Sequence, residues 1–213
     1  MLKQTDNIRQ TEPAGRYEES QNAFFPLAFR MKYIGRWGLM RGMESENLLE
    51  HSAECAMLAH ALACIGNTYF GKNYDVGNIA VKALYHDISE IFTGDLPTPV
   101  KYHNAAISSS YKEIEHEAGE RLLGKLPQEL QGVYLDSLDH ETDRAQARLI
   151  KAADKLCALI KCMTERRFGN HEFDSAYETT YASVQKLASE CVELDWFIKH
   201  LLAGFEKTLD ELG

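Results

Sequence analysis

The sequence has no apolar run near the roughly 20 residues that would span a bilayer. Lys, Glu, His or Asn breaks each hydrophobic stretch, although 45% of the 213 residues are apolar. This predicts a soluble chain with no membrane partner. The opening stretch, MLKQTDNIRQTEPAGRYEESQN, lacks both the apolar core of a secretory signal and the Arg-rich, acid-poor character of a transit peptide, so the expected location is the cytoplasm. Cysteine is scarce and unpatterned. Cys55, Cys64, Cys157, Cys162 and Cys191 form an odd set without a CxxC, which speaks against a disulfide framework and for reduced thiols acting as small hydrophobes. Positive charge is also short, with 23 Lys and Arg against 32 Asp and Glu and a net charge of −9. That balance argues against a nucleic-acid polymer as partner, whose binding rests on many cationic contacts to phosphate. A small anion remains compatible where a bound dication and a few basic side chains reverse the sign locally.

No alternating strand pattern, internal repeat or low-complexity tract is present. Helical periods fill the chain, so the fold class is all-α. Its length suits one domain, and residues 1–22, polar and without apolar period, read as an N-terminal extension to a domain over 23–213. Phe25, Phe29 and Tyr33 fall four apart, predicting an amphipathic helix that Gly35 stops. A helix is expected from Glu46-Asn47 to Gly66-Asn67, carrying His51, Cys55, Leu58, Leu62 and Ile65. Another spans IAVKALYHDISEIF, with Ile79, Ala83, His86 and Glu90 at helical spacing. The stretch from Gly94 to Pro99 reads as a stiff loop, since its two prolines remove donors and extend the residues before them. Further helices follow over about 104–126, from Pro127, and from Asp143 through Asp154 to Arg167. Two more over about 172–192 and 194–211 complete the chain.

Three titratable groups, His86, Asp87 and Glu90, interrupt an otherwise core-facing stripe. Left unpaired in a core, each would cost about 2–7 kcal/mol or more. Adjacent helical residues point about 100° apart, so His86 and Asp87 share one ion only if it sits over the edge between them. His51 and Asp154 likewise lie within apolar helical patterns, and the four together suit a divalent metal. Mixed imidazole and carboxylate donors favour Mn, Co, Zn, Fe or Ni over Ca, and leave positions open for water and substrate. Arg36 and Lys101 offer local positive charge for a phosphate. His60, His103, His116, His140, His171 and His200 show no partner pattern.

The order His51, His86-Asp87, Asp154 on separate helices is similar to the H…HD…D pattern of the HD superfamily of metal-dependent phosphohydrolases. RWGLMR (36–41), ENLLEHS (46–52), ALYHDISEIFTGDLPTPVKY (83–102) and KAADKLCALIKC (151–162) together resemble the bacterial HD-domain 5′-deoxynucleotidases. The resemblance covers about 24–168 and rests most on HDxSExxTGDLPTPVK. It implies a helical HD-domain bundle, and a homodimeric enzyme that releases phosphate from 2′-deoxynucleoside 5′-monophosphates. Position by position, it implies His51, His86, Asp87 and Asp154 as ligands of a divalent transition metal, Co or Mn, or Zn, Fe, Ni or Cu. Glu90 would position or activate the attacking water and Asp95 would protonate the departing 5′-oxygen. Arg36 would hold the phosphate, Trp37 would help exclude a ribose 2′-hydroxyl, and Thr98, Pro99, Val100 and Lys101 would line the phosphate and sugar. Another HD hydrolase, acting on a phosphodiester or a triphosphate, is the alternative, and a non-catalytic metal or nucleotide sensor is a third. The absence of additional His ligands and of a further basic cluster counts against the former. The presence of Glu90 and Asp95 counts against the latter.

Overall fold

The computed structural model describes residues 22–101, 103–139 and 143–213. The proposed extension, apart from Asn22, and His140 therefore lie outside the described residues.

Every regular element is a helix, and the only β-type pairing among the described residues is an isolated antiparallel bridge between Gly35 and Asn47. The first helix, α1 (Phe24–Ala28), tightens into a 3-10 turn over Phe29–Tyr33. Its inward face is not the predicted one. Phe24, Ala28 and Met31, at spacings of four and three, are buried while Phe25, Phe29 and Tyr33 are exposed, so the neighbouring stripe of the same helical period faces the core.

Helix α2 (Leu48–Tyr69) starts at a capping box: the Asn47 side chain accepts from the N–H groups of Leu49 and Glu50, and Glu50 accepts from the Asn47 N–H. The expected stop at Gly66-Asn67 is incorrect. Gly66 lies inside the helix, where the Tyr74 ring packs so closely that a Cβ would come within 2.6 Å of Tyr74 Cε2. The glycine serves close approach and not termination.

Helix α3 (Val76–Tyr85) does not run on through Glu90 as its period suggests. From Tyr85 to Phe92 the backbone bonds are spaced i to i−3, as in Ile88 N–H to Tyr85 O and Glu90 N–H to Asp87 O, before the short α4 (Glu90–Thr93). The His86 ring supplies a reason: its Nδ1 lies 2.7 Å from Ala83 O, taking a carbonyl that a continuing helix would use. Gly94, at φ 73°, then turns the chain into the segment bearing Asp95. The predicted loop is in part helical, since Thr98–Lys101 forms one turn, α5.

Next come α6 (Ala105–Leu123), capped by Asn104, and α7 (Gln128–Leu138), which follows Pro127. On α6, Tyr111, Ala118 and Leu122 are buried and Ile114 is exposed. The long α8 (Arg144–Arg167) begins at Asp143, whose carboxylate caps it. The two predicted C-terminal helices are each broken: a 3-10 turn precedes α9 (Asp174–Ala188), and α10 (Val192–His200) gives way to a 3-10 turn and α11 (Leu209–Leu212).

The main core lies where α2 crosses α3 and α8, with α9 and α10 closing it. Ala59, Ala63, Ala83, Ala152 and Ala153 are all buried at these contacts, and their small side chains let the backbones approach closely. A second cluster of Phe24, Met31, Leu48, Ile88, Leu122 and Leu126 packs the N-terminal segment and α6 against the turn after α3. All five cysteines are free, and four are buried. No helix among the described residues is long and apolar enough to cross a membrane.

Candidate metal centre and active site

Three elements of the main core converge on one point. The first turn of α2 brings His51, the end of α3 brings His86 and Asp87, and the middle of α8 brings Asp154. His51, His86 and Asp154 each offer a ligand atom within 4.8 Å of the others. His51 Nε2 lies 3.3 Å from Asp154 Oδ1 and 3.7 Å from Asp87 Oδ2, and Asp87 Oδ2 lies 3.0 Å from His86 Nε2. The sequence-derived set of four is therefore one spatial cluster.

These groups lie close together without aligned hydrogen bonds between them. Both nitrogens of the fully buried His51 and Nε2 of His86 lack an aligned hydrogen-bond partner despite the short distances, as do Glu90 Oε2 and Ser52 Oγ. A buried polar atom left so costs about 1–3 kcal/mol. With Nδ1 against Ala83 O, His86 presents the lone pair of Nε2 inward, the orientation of a metal-bound imidazole. The donor set fits a divalent transition ion.

The electrostatics agree. Burial opposes charging His51, yet Asp154 and Glu46 outweigh it and raise the ring to about 10. Burial likewise works against ionised Asp87 and Asp154, but His86 holds Asp87, and His51 with Lys155 holds Asp154, below the usual carboxylate range. The carboxylates thus draw a positive charge into this position, and a dication satisfies them without the proton. Glu90, 4% exposed, is pushed up to about 9 by burial and by the charges of Asp87 and Asp95. The i to i−3 spacing of Asp87 and Glu90 sets both side chains on the same side of the chain.

Arg36 reaches the cluster from the loop before α2, and Trp37 beside it is joined through Glu46. Arg36 Nε donates to Glu46 Oε1 at 2.9 Å, and Nη1 lies 3.6 Å from Asp87 Oδ2. Trp37 Nε1 donates to Glu46 Oε2 at 3.0 Å, and its ring centroid is 5.4 Å from that of Phe173. Trp37 is the only non-glycine residue with positive φ among those described, at 58°, a conformation that costs about 1–2 kcal/mol. Lys101 is already paired, its Nζ 2.8 Å from Glu115 Oε1 and 4.4 Å from the Tyr111 ring centroid. Pro99 and Val100 are exposed, and the N–H groups of Val100 and Lys101 both go to Pro97 O. Thr98 opens that turn.

Sequence reasoning missed Glu46, which touches Arg36, Trp37 and His51 at once. It sits in an irregular loop where no period marks it, and only its place before the Asn47 cap could have drawn notice. Glu165, fully buried on α8, was missed because beside Arg166 and Arg167 it reads as a solvated acid. Its carboxylate accepts from the N–H groups of Met43 and Glu44, from Lys161 Nζ and from Asn170 Nδ2, and so ties the loop down.

The family described as 5′-deoxynucleotidase YfbR-like matches residues 23–205. The chain belongs to this family. Among its relatives, the 5′-deoxynucleotidase plu3092 of Photorhabdus laumondii is 46% identical over 193 residues, covering 89% of this chain and 96% of its own. The 5′-deoxynucleotidase YfbR of Escherichia coli O1:K1 is 44% identical over 194 residues, 91% of this chain and 96% of its own. Among solved structures, an HD-domain phosphohydrolase from Listeria innocua superposes with a TM-score of 0.75 at 22% identity, over 85% of this chain and 87% of that one. The cyanophage S-2L HD phosphohydrolase DatZ, bound to dA and one catalytic Zn2+ ion, gives 0.62 at 21% identity, over 86% and 96%. At these identities the two structures establish the shared helical HD fold of the family.

Proposed function

We infer that the chain hydrolyses 2′-deoxynucleoside 5′-monophosphates to the deoxynucleoside and inorganic phosphate, using a divalent metal held by His51, His86, Asp87 and Asp154. The observation that carries this reading is the convergence of two imidazoles, whose buried Nε2 atoms have no aligned hydrogen-bond partner, on the carboxylates of Asp87 and Asp154, in a chain of this family. The same donor chemistry accepts Mn, Co, Zn, Fe, Ni or Cu, and Zn2+ is the ion named for the cyanophage protein. A bound dication would acidify a water and polarise phosphoryl oxygens.

The chain's own residues supply the rest. Glu90 takes a proton from the attacking water as the new O–P bond forms. Asp95 gives one to the 5′-oxygen as the P–O5′ bond breaks, so one proton is taken up and one released. Positive charge beside Asp87 offsets the like charges that push Glu90 up, which lets it act as a base near neutral pH. Arg36 keeps Nε on Glu46 and directs its outer nitrogens toward Asp87, the side on which a phosphate would gather. Lys101 exchanges Glu115 for a phosphate oxygen, Thr98, Pro99 and Val100 flank the sugar, and Trp37 closes against C2′. The enzyme works as a cytoplasmic homodimer in this reading, which light scattering of the purified protein would test.

Phosphate release across deoxy- and ribonucleoside 5′-monophosphates, with Mn or Co supplied, is the test. Release from the deoxy series well above the ribo series is expected. No release from any of them by metal-loaded protein would end the proposal.

A further inference from the structure

We propose that Glu46 is a positioning residue that couples sugar discrimination to the metal site by holding Trp37, Arg36 and His51 with one carboxylate. The proposal rests on the deoxynucleotidase reading above. Glu46 stands at the end of a closed loop: Arg36 N–H donates to Glu46 O at 2.9 Å, and Leu48 N–H to Ile34 O at 2.9 Å, around the Gly35–Asn47 bridge. The loop's ends are thereby fixed within one residue of the groups that act.

The side chain divides its two oxygens. Oε2 accepts from the Trp37 indole and Oε1 from Arg36 Nε, while Oε1 also lies 3.4 Å from His51 Nδ1, an ion-pair distance without hydrogen-bond alignment. Only 13% of the side chain is exposed. The Trp37 indole and the Arg36 guanidinium are both donors only, so neither can hydrogen-bond the other. An acceptor must stand between them, and Glu46 is that acceptor. The bond to Glu46 also holds the indole beside Phe173 while the Trp37 backbone keeps its left-handed φ of 58°. Toward His51 the carboxylate lies on the Nδ1 side, opposite the Nε2 that approaches Asp154 and Asp87, and its charge attracts that edge of the ring. A ribose hydroxyl that pushed on the Trp37 ring would thus push on Arg36 and His51 through the same carboxylate.

The conservative variants separate this role from general support of the fold. In Glu46→Gln the amide has one acceptor oxygen for two donors, whereas Glu46→Asp keeps the charge and retracts it by one methylene. The ratio of kcat/KM for a deoxy- and a ribonucleoside monophosphate with the same base should fall at least tenfold in Glu46→Gln. It should be partly restored in Glu46→Asp. Trp37→Phe, which keeps a ring without the N–H, should lower the ratio by itself. Adding Glu46→Gln to Trp37→Phe should then change the ratio by less than twofold.

A readout independent of turnover uses the two tryptophans of the chain. With Trp196→Phe as background, Glu46→Gln should shift the remaining Trp37 emission to the red and raise its quenching by acrylamide. A ratio within twofold of wild type in folded, metal-loaded Glu46→Gln would overturn the proposal. So would unchanged Trp37 emission and quenching. Absence of phosphatase activity in the wild type, with the emission shift present, would refute the substrate reading and leave the clamp standing.

Discussion

Replacing Glu165 by Gln perturbs the loop that carries Arg36 and Trp37 without touching His51, His86, Asp87 or Asp154. The Glu165 carboxylate is fully buried and accepts from Lys161 Nζ at 2.6 Å, from Asn170 Nδ2 and Met43 N–H at 2.8 Å, and from Glu44 N–H at 3.2 Å. Burial alone would raise its pKa, but Lys161, the Met43 N–H and Asn170 pull it from 4.5 to about 2. A shift of that size corresponds to about 3 kcal/mol. Water reaches the rim of the anchor, because Gly42, Met43 and Glu44 are exposed, so a discounted ~2 kcal/mol is the better expectation. The sign follows from the depressed folded-state pKa. The stabilisation is complete above pH 4.5 and is lost as the pH falls toward 2. Urea melts of wild type and Glu165→Gln should therefore differ by about 2 kcal/mol at pH 7, or roughly 4–8 °C in thermal midpoint for a chain of this size. The difference should shrink steadily between pH 4.5 and 3. A difference below about 0.5 kcal/mol at pH 7, or one constant across the acid range, would refute the reasoning.

Gly66→Ala should destabilise by about 1–2 kcal/mol, the cost of overpacking against Tyr74 less the helix propensity gained, as read from denaturant melts; a neutral result would mean that Tyr74 yields freely. Asn47→Ala removes the cap on the turn that presents His51 and should cost about 1 kcal/mol, with weaker metal retention on dialysis. Chelation should abolish phosphate release and lower the thermal midpoint, and re-addition of Mn or Co should restore both; Asp154→Ala should show no such rise on re-addition.

Much of this was legible because it rests on local chemistry. The Asn47 and Asp143 caps, the apolar faces of α2 and α8, and the grouping of His51, His86, Asp87 and Asp154 all follow from spacing and residue type. Where reading failed, a side-chain contact that periodicity does not register decided the outcome. Ile79, Ala83, His86 and Glu90 keep a helical period, yet the His86 ring takes Ala83 O and the chain tightens, with no Gly or Pro to announce it. Gly66 looked like a helix stop because glycine often is one, and only the Tyr74 ring reveals its use. Lys101 reads as a free cation until Glu115 is placed beside it. Glu46 and Glu165 look like surface acids in charged stretches. Their burial is set by the loop that folds over them.

Metal content and phosphate release measured together on Glu90→Ala test the central claim most directly. Glu90 is buried beside the donors but outside the proposed ligand set, so the variant should hold wild-type amounts of Mn or Co and lose most turnover, by about 100-fold or more. A variant that keeps both its metal and its activity would contradict the account, as would one that loses the metal along with the activity.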